Sequence, residues 1–447
     1  MLRQVLALRI IINRQFSSAL YVTGDKAHKQ FAVLKPIIDF DDQLKSRKDC
    51  LIENIKARQL SIDLNKVEER WNYFKEIERK KEILEETKAE IGHNISKLMK
   101  LDNDPDLEKE IEKLKIHLRL VKDEVKNLRN LSYAVEEGAA LQVLSLPNVL
   151  HPKTTQCELE VYRYLEKSDT RTENHVEIGN KKGYFKLINH MTCYLKSEAA
   201  LFELAVQNYF SQELVNLNYT QFSNSDFVKS VVIEGCGSDP SACWDGLTLE
   251  NIHCIQNEGS NKLHLVGASS LYSFMAYFTK HFVHITQLPV KAFCVGRKYR
   301  TVQSTSPKDL FNLSQSSEIS LFNLLLDDDI LENMVDEVAT LYRQLGLHFR
   351  LVLMPANQLS KAESLRLSIQ MFSNSSLSYV EVGFVSFYED YLSKRLLLSC
   401  SQDRKGKFPN VVGGSLINAQ RVIGCALENN VLKQKPLLND FLSKYIC

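Results

Sequence analysis

No C-x-x-C pair occurs among the ten cysteines of this 447-residue chain, and the nearest histidine neighbours, such as His253 beside Cys254, lack the spacing of a zinc site. Free thiols in a reducing compartment, and no metal centre, are the expectation. An excess of charge is missing too: 56 Lys and Arg stand against 55 Asp and Glu, so any basic footprint must come from local clustering. No apolar run approaches the roughly 20 residues that span a bilayer, which excludes a membrane helix. Neither a P-loop nor a Rossmann glycine signature is present. A nucleotide site here has to be of another design.

What is present begins at the N-terminus. MLRQVLALRIIINRQFSSALYVTG carries Arg3, Arg9 and Arg14, apolar residues between them, serines after them, and no acid before Asp25. This is the makeup of a mitochondrial import leader, with cleavage expected after Phe16 and a matrix location. A basic N-terminus of a cytosolic protein is the other reading of the same residues.

Beyond about Asp63 the pattern changes to long helical periodicity. Val67, Trp71, Phe74, Ile77, Leu84, Ile91, Ile95 and Leu98 mark one helix, and Leu107, Ile111, Leu114, Leu118, Val121, Val125 and Leu128 step by four and three along a second. The polar turn Leu101–Asp106 between them, with Pro105 suited to a first helical turn, predicts an antiparallel hairpin. At 1.5 Å per residue, a first helix of about 36 residues runs on the order of 50 Å, an arm built to reach something. Lys113, Lys115, Arg119, Lys122, Lys126 and Arg129 stand on its second helix among Glu108, Glu110, Glu112, Asp123 and Glu124. Pattern alone leaves two readings open, a solvated face of i,i+4 ion pairs or a phosphate-contacting edge.

From about Leu146 short β-type runs mix with amphipathic helices: Gly183–Leu195, Lys262–Val266, Leu288–Val302, His348–Met354 and Tyr379–Phe387. Strands outnumber the crossover helices a parallel sheet needs. The fold class expected is α+β, an N-terminal antiparallel coiled-coil arm followed by an antiparallel sheet flanked by helices. The expected domains are a leader over 1–16, a helical hairpin over 17–145 and the sheet domain over 146–447.

Several stretches resemble one family. LPNVLHP at 146–152 is similar to the segment joining arm and catalytic domain in class II seryl-tRNA synthetases. Residues 195–237, with the tail VIEGCG, resemble the helix and strand around motif 1, and ALENN at 426–430 resembles the motif 3 helix. The likeness runs from about Asp39 to the C-terminus and lies nearest a catalytically degenerate branch. It implies a class II antiparallel sheet, an arm that grips tRNA, and a dimer through motif 1, although the motif 1 proline falls on Ser225.

Against the family's T-x-E serine-recognition element the chain has Ala268 and Ser270, so the carboxylate that pairs with the substrate ammonium is absent. A family asparagine falls on Phe387 and a threonine on Val411. Losing one partner of a buried charged hydrogen bond costs about 2 to 5 kcal/mol. For ATP, the resemblance places Arg297 at the motif 2 arginine, Arg421 at the motif 3 arginine and Glu381 at a metal- and phosphate-holding glutamate. The adenine-reading glutamate becomes Tyr299, H-Q-F becomes Ser314-Gln315-Ser316, the acid that follows becomes Ser320, and a serine assisting the metal becomes Phe384. Motif 3 glycines read Gly413-Gly414-Ser415-Leu416, with the leucine expected near the nucleotide path. Arg297, Glu381 and Arg421 are then vestigial, structural ion-pair partners.

The function expected is a mitochondrial paralogue that binds tRNA, serine tRNA by the resemblance, or regulates translation through protein partners, without serine activation, metal or other cofactor. It pairs with itself or with a mitochondrial seryl-tRNA synthetase, and neither membrane nor DNA is a partner. The alternatives are an active but divergent serine-tRNA ligase, an enzyme for another small substrate, and a purely structural coiled-coil protein. The last leaves a catalytic-like domain of some 300 residues unexplained.

Overall fold

The structure, a computed structural model, describes all residues except 1–17, 25–33, 39, 101–104, 169, 241–246, 249–261, 327–329, 401–406, 433–435 and 447. The expected leader, and most of the turn joining the arm helices, lie outside the described residues. The chain forms two compact units, one of residues 21–46 and 61–146, the other of 1–20, 47–60 and 147–447.

In the first unit, α1 (Phe40–Ala57) is kinked at Arg47, where φ is −140° and ψ 23°. Only its opening turns belong to this unit. The arm is α2 (Leu64–Leu98) and α3 (Pro105–Leu144), 35 and 40 residues long. Asp63 caps α2 by accepting the Lys66 N–H at 3.3 Å, and α3 starts at Pro105, where a missing N–H costs no helical bond. Ile91, Ile95, Val121 and Val125 are buried along the seam, with Leu84, Ile111, Leu114 and Leu118 packed on them. Trp71 closes the base of the hairpin, with Phe40 edge-on at 5.6 Å and its indole N–H donating to Asp41 at 2.7 Å.

Among the described residues the second unit has 13 strands. They are β1 (Leu159–Tyr164), β2 (Phe185–Asn189), β3 (Thr192–Leu195), β4 (Thr220–Phe222), β5 (Phe227–Lys229), β6 (Leu247–Thr248), β7 (Leu263–Leu265), β8 (Val290–Tyr299), β9 (Gln315–Leu325), β10 (Phe349–Leu353), β11 (Leu365–Ser373), β12 (Ser378–Phe387) and β13 (Asn410–Asn418). Eight form the main sheet in the order β1-β10-β11-β12-β13-β9-β8-β4, antiparallel throughout except for the β4–β8 edge. β2 and β3 form a hairpin, and β5, β7 and β6 a small separate sheet.

Side chains alternate across a strand, so the main sheet has two distinct faces. One is covered by α4 (His175–Lys182), α5 (Ser197–Asn216), α6 (Leu331–Arg343) and α7 (Ala419–Leu432). Phe293, Ile319, Leu321, Phe349, Leu367, Ile369, Val385, Phe387, Val412 and Leu416 point into this core, against Phe210, Val338, Tyr342 and Ile423 of the helices. The other face carries a row of polar side chains.

Two polar anchors hold the edges of this unit. Arg58 is buried and donates to Asn54 Oδ1 and to the carbonyls of Asn148, Ser360 and Glu363 at 2.6–3.1 Å. Burial pulls its guanidinium down to about 10. Asn148, in the LPNVLHP segment, donates in turn to the Ala362 and Tyr388 carbonyls. At the other anchor, the Glu234 carboxylate accepts from the Ser18 hydroxyl and from the Ala19 and Leu20 N–H groups, at 2.7, 2.9 and 2.7 Å.

Candidate functional site, a polar sheet face

On the face without the helical cover, Glu381 accepts from Arg366 at 2.6 Å and from the Ser368 hydroxyl at 2.8 Å, so both carboxylate oxygens are engaged. Burial pushes its carboxyl up, and Arg366, Ser368 and Arg421 more than offset this, holding it below the usual carboxylate range. Arg421 donates to the Glu381 carbonyl at 2.6 Å and to the Phe311 carbonyl at 3.2 Å. Burial and a neighbouring Arg300 pull the Arg421 guanidinium down to about 10. Arg300 shares the Phe311 carbonyl at 3.3 Å and donates to Leu313 at 2.8 Å.

The Phe384 ring lies between two cations, the Arg366 guanidinium 3.9 Å and the Lys298 ammonium 5.2 Å from its centre. Beside them Glu363 accepts from Ser386 at 2.5 Å and lies 3.4 Å from Arg366. A further carboxylate, Glu318, is 4% exposed and accepts from Ser316 at 2.6 Å, Asn418 at 2.7 Å and Ser415. Four cations and three carboxylates thus share one face, already bonded to protein groups.

The serine end of this face is occupied in the same way. The Ser270 hydroxyl caps the helix Leu271–Phe278 by accepting the Tyr272 N–H at 3.3 Å. Ser320 donates to the Ser269 carbonyl, and the Ala268 N–H donates to Asp226 at 2.8 Å. Gly267 makes this turn possible: φ is +93°, and a Cβ would come 2.0 Å from the Arg297 carbonyl oxygen. No carboxylate stands at 268–270 to receive an ammonium.

The expected site residues divide. Glu381 and Arg421 come together with Phe384. Arg297 does not join them. It projects to the helix-covered face, half-exposed, 3.7 Å from Glu203 of α5, and lines a cavity of about 390 Å³ with Tyr299, His190 and Gln420. Arg300, three residues on, is the β8-side arginine that meets Arg421, and two residues after it stands Val302. Phe387 and Leu416 are corrected likewise: both are buried in the helix-covered core, because they occupy the alternate positions to Ser386 and Ser415.

A divalent ion does not fit this site. Glu381 has spent both oxygens, the assisting position is Phe384, and among the described residues no group of three or more His, Cys, Asp or Glu could hold a metal. Sequence reasoning missed Arg300, Arg366, Glu318 and Glu363. The signal for Arg300 was available, since strand alternation puts Arg297 and Arg300 on opposite faces.

The six arm cations are all exposed. At about 100° per residue, Lys115, Arg119, Lys122, Lys126 and Arg129 fall within an arc of about 80° and span about 21 Å, and Lys113 lies on the other side of the helix. Arg129 is 3.4 Å from Glu85 of α2.

On this largely antiparallel sheet Arg300, just past β8, meets Arg421 of α7, the helix that follows β13. Residues 254–430 match the model of the tRNA synthetase class II core domain (G, H, P, S and T). Over these residues the chain is similar to that core domain, and along nearly its whole length it is similar to seryl-tRNA synthetases and a synthetase-like protein. It is 27% identical to the Serine--tRNA synthetase-like protein Slimp of Drosophila melanogaster over 96% of this chain and 94% of that one. It is 24% identical to the mitochondrial Serine--tRNA ligase of Mus musculus, over 87% of this chain and 78% of that one. The seryl-tRNA synthetase of Pyrococcus horikoshii, solved with ATP, superposes with a TM-score of 0.75 at 15% identity, over 88% of this chain and 94% of that one. The cytoplasmic enzyme of Naegleria fowleri does so at 0.73 and 16%, over 90% and 95%.

Proposed function

We propose that this chain is a non-catalytic seryl-tRNA synthetase paralogue of the mitochondrial matrix, which binds tRNA through its arm, serves translation through protein partners, and does not activate serine. The observation that carries this reading is the self-satisfied polar face. Class II activation requires ATP and an amino acid to be held in line by uncommitted charges. Here Arg421 and Arg300 are spent on backbone carbonyls, Glu381 on Arg366 and Ser368, and Phe384 fills the space between Arg366 and Lys298. Ser270 holds a helix end in place of an ammonium-binding carboxylate.

The same reading divides the chain into a leader over 1–16, a tRNA-binding hairpin over 17–145 and a degenerate catalytic domain over 146–447. The five aligned arm cations support tRNA contact, with serine tRNA as the ligand the relatives favour. A homodimer, or a heterodimer with a mitochondrial seryl-tRNA synthetase, is supported by α5, whose Leu201 and Leu204 are 41% and 42% exposed on the helix that matches motif 1. Among the described residues no helix is long and apolar enough to cross a membrane.

Calorimetric titration of the chain from Ser17 onward, with magnesium ATP and with a non-hydrolysable seryl-adenylate analogue, tests the proposal alongside filter binding of serine tRNA. The expected result is no nucleotide or analogue heat and clear RNA binding. Tight analogue binding, or serine-dependent pyrophosphate exchange, overturns it in favour of a divergent serine-tRNA ligase. That second reading draws on the retained Arg300, Arg421 and Glu381 and on ligases among the relatives.

A further inference from the structure

On the helix-covered side of the main sheet, at the start of β8 and the end of β9, lies a cavity of about 560 Å³. Lys291 in its wall and Arg297 are six steps apart along β8, about 20 Å on an extended strand. The polar face described above is on the other side of the sheet. The volume falls in the range of roughly 300–1,000 Å³ typical of small-molecule sites. Ile285, Leu288, Leu325, Ile330 and Met334 give it apolar walls.

One wall is a chain of polar groups. Lys291 is 3.2 Å from Glu337 Oε1, and the Tyr219 hydroxyl donates to Glu337 Oε2 at 3.0 Å. The single hydroxyl proton of Tyr219 is thereby spent, so its oxygen can only accept, and Asn323 presents Nδ2 to it at 3.4 Å. That fixes the amide orientation and leaves Asn323 Oδ1 turned from Tyr219. Asn323 is 2% exposed, and Oδ1 has no hydrogen-bond partner. A buried acceptor of this kind is costly unless something donates to it.

The geometry points to a binding site in this cavity for a small apolar molecule that carries one N–H or O–H donor, which bonds to Asn323 Oδ1. The apolar walls take the body of the ligand. The amide oxygen fixes its orientation. This site is separate from the synthetase-like face and stands whether or not that face activates serine.

The test is a fluorescence titration of the full chain with N-phenyl-1-naphthylamine, an uncharged aromatic probe with one anilino N–H. Saturable binding at one site per chain is expected. Ile330→Trp, which fills the cavity from its edge, abolishes it. Asn323→Leu removes the acceptor and weakens binding about tenfold. Urea unfolding midpoints of both variants confirm that each is folded. Binding that does not saturate, or that Ile330→Trp leaves unchanged, overturns the site. Loss with Ile330→Trp but not with Asn323→Leu overturns the role of the amide.

Discussion

The arm and the polar sheet face carry similar numbers of cations and use them in opposite ways. On α3, Lys115, Arg119, Lys122 and Lys126 are exposed along one flank of a thin hydrophobic seam. On the sheet, Arg300, Arg366 and Arg421 are bonded to carbonyls and carboxylates of their own unit. Exposed charges remain available to an incoming phosphate backbone, whose binding releases counterions. Committed charges must first be taken from a partner, and that cost is subtracted from any ligand they might hold. Positive charge in a synthetase-like site is thus no measure of nucleotide affinity. What matters is whether the charge is already neutralised.

The contrast breaks most visibly at Glu381. Replacing it with Ala leaves Arg366, one-fifth exposed, without its 2.6 Å partner, and is expected to cost about 3–5 kcal/mol in urea unfolding. A cost below about 1 kcal/mol would mean that the sheet-face charges are as loosely held as surface pairs. On the arm the effect belongs to affinity instead. Reversing Lys115, Arg119 and Lys122 to Glu is expected to lower serine tRNA binding by more than about tenfold and to reduce the salt slope by about 2 to 3, with unfolding unchanged. Filter binding across a salt series measures both.

Acid sharpens the same difference. The folded Glu381 carboxyl is held below its ordinary value of 4.5. Its contribution to stability is therefore complete above that value and is lost as pH falls through the folded pKa. Urea midpoints measured from pH 6 down to pH 3 should decline, and Glu381→Gln should flatten part of that decline. The smallest effect is expected at Lys113, which lies off the basic arc: Lys113→Glu should change tRNA affinity by less than about twofold. A larger loss would show that RNA wraps both sides of α3.

Much of the fold was legible because helical and strand periods are long-range patterns. The seam residues gave α2 nearly to its observed ends and α3 its start, whereas α3 continues to Leu144, well past the last seam leucine at 128. The runs 183–195, 262–266, 288–302, 348–354 and 379–387 all hold strands. β9 was not legible: it is buried on both faces, and its polar residues are satisfied by other elements, Ser317 by Glu203, Ser320 by Ser269 and Asn323 by Tyr219, so alternation is hidden. The site was read less well. In Gly296-Arg297-Lys298-Tyr299-Arg300 two arginines compete for one role, and only their faces separate them. Phe387 and Leu416 resembled pocket intruders in a linear comparison, whereas the β-pleat turns them into the core. A buried carboxylate satisfied by hydroxyls and an amide, as at Glu318, leaves no mark in the sequence at all.

The Glu234 anchor sets where this protein can safely begin. Its three donors come from Ser18, Ala19 and Leu20, just downstream of the bond expected to be cut on import. A chain that starts at Ser17 therefore keeps the anchor whole. Trimming four residues further, through Leu20, strips the carboxylate of every one of these bonds. A recombinant chain for binding work should start no later than Ser17.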